Sequence, residues 1–135
     1  MNFWNTKLGS EKDMLKVSKK IGNEEAELRE QLALCYRVCH HEKLNEGCDN
    51  HLSVMLKVEG YDCLLTLPHG ILWSTTKPSD FILVDFEGNI LRPSGRKDKP
   101  LFGHKYVPDI SAIKIHGAIH KGLGDGRAKA VMHTH

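Results

Sequence analysis

The sequence predicts an α+β or layered α/β fold on a largely antiparallel sheet. Three observations carry this. One long segment and one shorter segment have helical periodicity. Between and after them lie runs with apolar residues at every second position, the period of a half-buried strand. Turn signals divide those runs, giving the order helix, hairpin, strand pair, helix, strand.

Residues 1–23 carry lysines and no steady apolar period, and are expected to be a flexible lead-in and an oligomer contact. Residues 24–135 form the expected domain. Its first element is "NEEAELREQLALCYRVCHHEKLNEG", a helix with Asn23 as N-cap and Glu24 and Glu25 in the first turn. Leu28, Leu32, Cys35, Tyr36 and Cys39 make its apolar stripe, and Gly47 is the expected stop. "NHLSVMLKV" alternates, with Leu52, Val54 and Leu56 on one side and Ser53, Met55 and Lys57 on the other. "EGYD" is the hairpin turn and "CLLTL" the returning strand, ended by the turn "PHG". "ILWSTTKPSD" connects to Phe81–Asp85, which bends at Glu87-Gly88-Asn89 into Ile90 and Leu91. A long polar loop follows. Asp109 then caps a second helix with Ile110, Ile113, Ile115, Ala118 and Ile119 as its stripe, broken by Gly122, Gly124 and Gly126. In the last strand, "RAKAVMHTH", Ala128, Ala130 and Met132 share one face; Lys129, Val131, His133 and His135 share the other.

Composition narrows function only by exclusion. With 40% hydrophobic and 27% charged residues among 135, the chain reads as one soluble domain with a core. A net charge of +2 gives no argument for a nucleic acid or membrane partner. No apolar stretch approaches the roughly 20 residues of a membrane span. The first 20 residues hold no secretory apolar core, so a cytoplasmic protein is the expectation. Cys35, Cys39, Cys48 and Cys63 form no CxxC pair and read as free core thiols. Trp73 and Tyr106 read as core or interface aromatics, and "RKDK" at 96–99 as a solvated loop.

The chemistry-bearing motif is His133-Thr134-His135. On a strand, both imidazoles project from one face and can bind one divalent ion. A catalytic zinc requires three protein ligands and an open position, so the pair alone is a weak signal. The adjacent His40 and His41 lie about 100° apart on a helix and do not share an ion.

Four motifs in order add context: "GCDNHLSV", "LLTLPHGILWSTTKPSDFILVDFEGNIL", "IHGAIHKG" and "AVMHTH". Together, over roughly residues 25–135, they resemble the class II aldolase/adducin domain. The resemblance implies a layered α/β/α fold with a largely antiparallel central sheet flanked by helices. It implies that His133 and His135 are metal ligands, with zinc or a similar divalent ion as cofactor polarising a carbonyl. The third histidine of the family lies beyond the position where this sequence stops, so the resemblance makes the domain incomplete. An unpaired sheet edge, lower stability or self-association is then expected. Asn50, Gly70 and Ser111 match substrate-binding positions. The catalytic glutamate position, four residues before His116, is Ala112, which can neither donate nor accept a proton. His116 matches a helix position outside the family's metal triad. Asp49, where the family has glycine, would repel a phosphate, and His69 stands where it has serine. The missing glutamate and the Asn50-His51 pair lean toward the adducin branch.

Two functions follow from the resemblance. One is a metal-dependent aldehyde-lyase relative acting on small hydroxy-carbonyl substrates. The other is a non-catalytic adducin-like module for assembly or for actin and spectrin binding, placed at the cytoskeleton. A homo-oligomer is expected for either.

Overall fold

The computed structural model describes residues 17–124 and 126–135. The expected lead-in lies outside the described residues as far as residue 16, and so does position 125 within the glycine-rich stretch. Asn23–His41 forms helix α1. Gly22 rather than Asn23 takes the N-cap position, and no side chain caps it. The helix stops before Gly47. Lys43 adopts φ 58°, and the Leu44 amide turns back to the Cys39 carbonyl at 2.9 Å.

Among the described residues, five strands follow the predicted order: β1 (His51–Val58), β2 (Tyr61–Thr66), β3 (Ile82–Val84), β4 (Ile90–Arg92) and β5 (Ala130–His133). They make one sheet in the order β4-β3-β2-β1-β5, and all its pairings are antiparallel. The β1–β2 turn places Glu59 and Gly60 at φ 50° and 87°, the backbone of a two-residue hairpin loop. Asp85 organises the β3–β4 turn, where its carboxylate accepts from the Glu87 and Asn89 amides at 3.0 and 2.8 Å. The 72–81 connection contains two short 3-10 turns, Trp73–Thr75 and Pro78–Asp80. Helix α2 covers Ile110–Leu123, and Asp109 caps it as expected, accepting from the Ser111 and Ala112 amides.

The sheet separates two helical layers, the architecture expected of the α/β/α reading. Toward α1, Leu52, Leu56, Cys63, Leu65 and Leu83 pack with Leu32, Ala33, Tyr36, Phe81 and Trp73. Tyr36 meets Trp73 edge-on at 4.6 Å. Its hydroxyl donates to the Leu52 carbonyl at 2.7 Å and accepts from the Leu52 amide at 2.9 Å, fastening α1 to β1. On the other face Leu64, Ile82 and Val84 pack with Ile113 of α2. Gly117 lets α2 approach closely, since a β-carbon there would sit 3.3 Å from the Phe86 carbonyl.

Further sequence expectations change. The buried face of α2 is Ala112, Ile113, His116, Gly117 and His120, while Ile115, Ala118 and Ile119 are exposed. Glu25, expected only to favour the first turn of α1, is buried between Arg29 and Arg92. Its ion pair with Arg29 Nη2 is 2.8 Å, although that nitrogen makes no aligned hydrogen bond. Arg29 Nη1 donates instead to the Pro78 and Phe81 carbonyls. In the "RKDK" loop Lys97, Asp98 and Lys99 are exposed as expected, while Arg96 is tied down by Asp98, Asp80 and the Tyr106 ring. The four cysteines are free, as expected. Among the described residues, no helix is long and apolar enough to cross a membrane.

Candidate functional site

The start of β1, the turn after β2 and the start of α2 meet at one end of the sheet. They enclose a cavity of about 20 Å³ whose lining includes Asn50, His51, Gly70, Trp73, Asp109 and Ala112. That space holds about one water. Asn50 is buried, and its Oδ1 accepts from the Glu46 amide at 2.7 Å. Its Nδ2 and the neighbouring His51 Nδ1 are both buried without a hydrogen-bond partner. Gly70 has φ 89°, a backbone that disfavours any side chain. A β-carbon there would also lie 3.0 Å from the Phe102 ring, so the 93–109 loop closes over it. Ser111 is exposed and not among the lining residues; its amide and hydroxyl both donate to Asp109. Ala112, buried in the first turn of α2, is among the residues lining the cavity.

Asp109 is the charged group of this cavity. His51 Nε2 lies 3.5 Å from its carboxylate. Hydrogen bonding from His51, then from Ser111 and the Ala112 amide, holds Asp109 well below the usual carboxylate range, against the opposing effect of burial. The pairing of His51 with Asp109 was missed in the sequence. The two are 58 positions apart, and only the fold brings them together.

Behind the cavity lies a polar ladder. Ser53 Oγ is 2.7 Å from His116 Nδ1 and 3.5 Å from His120 Nε2, and His120 Nδ1 donates to the Ala128 carbonyl at 2.6 Å. A carbonyl only accepts, so in neutral His120 the other nitrogen carries the lone pair. Ser53 then donates to His120 and accepts from His116. Burial, and after it the nearby His51, His120 and His133, pushes His116 down to about 4, against Asp109. Burial also lowers His120, against its carbonyl bond.

His133 lies opposite His51 in the β5–β1 register. Its ring centroid is 5.1 Å from that of His51 and 5.0 Å from that of His135. His135 Nδ1 is 3.4 Å from a Glu46 carboxylate oxygen. The rings of the expected metal pair are therefore neighbours, with His51 beside them. Among the described residues, however, no three His, Cys, Asp or Glu side chains converge as ligands of one ion. The donor set is one short of a catalytic zinc site, and the residues present do not make one. His104 is exposed on the long loop, and His116 and His120 are engaged with Ser53. A wider groove of about 580 Å³ is lined by Met55, Lys57, Phe86, His120 and Lys129, and its lining includes none of Asn50, Gly70, Ser111, His133 and His135.

Comparison with known proteins agrees with this architecture. The model of the class II aldolase and adducin N-terminal domain matches residues 30–135. An adducin-related protein of Schizosaccharomyces pombe is 32% identical over 114 residues, which are 84% of this chain and 33% of that protein. An aldolase II superfamily protein from Pseudomonas syringae superposes with a TM-score of 0.67 at 26% identity, covering 86% of this chain and 41% of its own. The L-fuculose 1-phosphate aldolase of Glaciozyma antarctica, at 24% identity, shares the fold with a TM-score of 0.70 over 90% of this chain and 45% of its own. The chain thus spans about a third of the length of its adducin-related relative and under half of these solved structures. It belongs to the class II aldolase and adducin N-terminal domain family.

Proposed function

We propose that this domain, taken as residues 24–135, is a non-catalytic, adducin-like member of its family, working in assembly at the cytoskeleton rather than in aldol cleavage. Ala112 carries the reading. The resemblance puts the family's proton-transferring glutamate there, and in this chain a buried methyl group lines a cavity with room for about one water. A hydroxy-carbonyl substrate needs more space and a group that moves its proton. The adducin-related relative supports the same branch.

On this reading His133 and His135 keep the place of the metal ligands without completing a catalytic site, and Asn50 and Gly70 keep the shape of the substrate pocket. The partners are actin or spectrin and further copies of the chain, in the cytoplasm. The test pairs two assays on the same preparation. With zinc, manganese or iron added, no retro-aldol turnover is expected on a panel of hydroxy-aldehydes and their phosphates. Co-sedimentation with filamentous actin is expected. Metal-stimulated turnover that disappears in His133→Ala would overturn the proposal in favour of the lyase.

A further inference from the structure

A second group of metal-ligating side chains lies on the opposite side of β5 from the histidines. Met132 is paired with Leu52 in the β5–β1 register, and Leu52 faces α1. His133 is paired with His51 and faces the α2 side. The Met132 thioether reaches Cys39 of α1, with 3.9 Å between the sulfurs. Cys35 lies one helical turn before Cys39 on the same face of α1, and it packs against the core cluster that contains Cys39. We propose that Cys35, Cys39 and Met132 form a site for a soft, thiophilic monovalent ion of the copper(I) class, clamping the edge strand β5 to α1.

The geometry carries this further than a sulfur contact. At a metal–sulfur bond of ~2.3 Å, two sulfurs on one ion stand ~4.0 Å apart in a trigonal site and ~3.8 Å apart in a tetrahedral one. The Cys39–Met132 separation lies between these values, so both sulfurs reach one ion without backbone movement. The ligand type selects the metal. Two thiols and a thioether suit copper(I), whereas calcium, magnesium and manganese prefer oxygen. Cys39 is buried and Cys35 half-buried, but Met132 is 53% exposed, so the ion enters from the β5 side. Each thiol that ligates releases its proton, so one copper(I) displaces two protons. Without the ion, the same contact is a weak hydrogen bond from the Cys39 thiol to the thioether.

Anaerobic titration of the reduced full chain with copper(I), against the chromophoric chelator bicinchoninate, tests the site. One copper(I) per chain is expected to transfer to the protein, and to raise its melting temperature. Met132→Leu keeps the volume but cannot ligate, and should weaken binding by roughly tenfold or more, at least the loss seen on removing an outer partner of a ligand. Cys35→Ser should do the same, while Cys48→Ser and His133→Ala should bind as the parent chain does. Cys39→Ser should abolish binding, with circular dichroism confirming its fold; if it unfolds, Met132→Leu and Cys35→Ser decide. No transfer from the chelator would overturn the proposal. So would parent-like binding in both Met132→Leu and Cys35→Ser, or loss confined to His133→Ala, which would move the copper to the histidines.

Discussion

The two faces of the sheet are built from the same strands and differ in what they bury. Side-chain parity divides them: Leu52, Cys63, Leu65 and Leu83 turn to α1, while Ser53, Leu64, Ile82 and Val84 turn to α2. The α1 face is almost wholly apolar and includes Trp73, Phe81 and Tyr36. The α2 face is apolar over β2 and β3, with Met55 of β1 and Ile90 of β4 packed against it; at the start of β1 it becomes Ser53, His116 and His120, all buried, with both imidazoles bonded to Ser53. Apolar burial makes the first face the main source of stability. The second spends part of its contact area on polar groups, whose value lies in position. One period-two strand therefore serves both tasks, and mutations on its two sides should separate them.

The largest losses should come from the α1 layer. Trp73→Ala removes the ring that meets Tyr36 and should cost about 3–5 kcal/mol in urea unfolding. A loss under about 1 kcal/mol would mean that the layer is not the main source of stability. Glu25→Gln tests the charged edge of the same layer. It removes the carboxylate that neutralises two buried guanidinium groups, and should cost about 3–5 kcal/mol. Replacing Glu25, Arg29 and Arg92 together by apolar residues should be far milder than the single change, because no charge is then left buried without a partner.

Changes in the polar ladder should be smaller and depend on pH. Ser53→Ala leaves the buried His116 Nδ1 without its partner and should cost about 1–3 kcal/mol at neutral pH. His116 has a folded pKa of about 4, below the ordinary 6.5, so the unfolded chain takes up its proton first as pH falls. The stability of neutral His116 is therefore fully present above pH ~6.5 and lost as pH falls toward about 4. Unfolding free energies measured at pH 7.5 and 4.5 should differ less in His116→Asn than in the parent chain. An unchanged difference would assign the acid sensitivity to other groups.

What was legible in the sequence was local. The strand order came from period-two runs and from turns whose chemistry sits within a few residues, such as Glu59-Gly60 and the Asp85 carboxylate. The Asp109 cap was equally local. The parity of β5 also followed from its own residues, so Met132 and His133 fall on opposite faces as expected. The site was less legible, because its pairs are remote in the chain: His51 with Asp109, Ser53 with His116, Glu25 with Arg92. Hydrophobic periodicity assigns isoleucine to the core by default. It has no means of knowing that a serine on a distant strand will satisfy a buried imidazole. For that reason the sequence turned Ile115 and Ile119 inward, and the structure instead turns His116 and His120 inward.

The smallest expected effect tests that reversal. Ile115 is 59% exposed on α2, and the predicted stripe would have made it core. Had it been core, Ile115→Glu would bury a carboxylate and cost several kcal/mol. With the face open to solvent, the change should stay within about 0.5 kcal/mol, aided by glutamate's better helix propensity. His116→Glu, one residue along, should be severely destabilising, because it places an acid at a buried position against the Ser53 ladder. The ratio of the two costs, measured by the same unfolding curves, reads out which face of α2 is inside. A large cost at Ile115 alone would mean that its outer face is covered in solution, and sedimentation of the parent chain and Ile115→Glu would then show whether a second copy covers it.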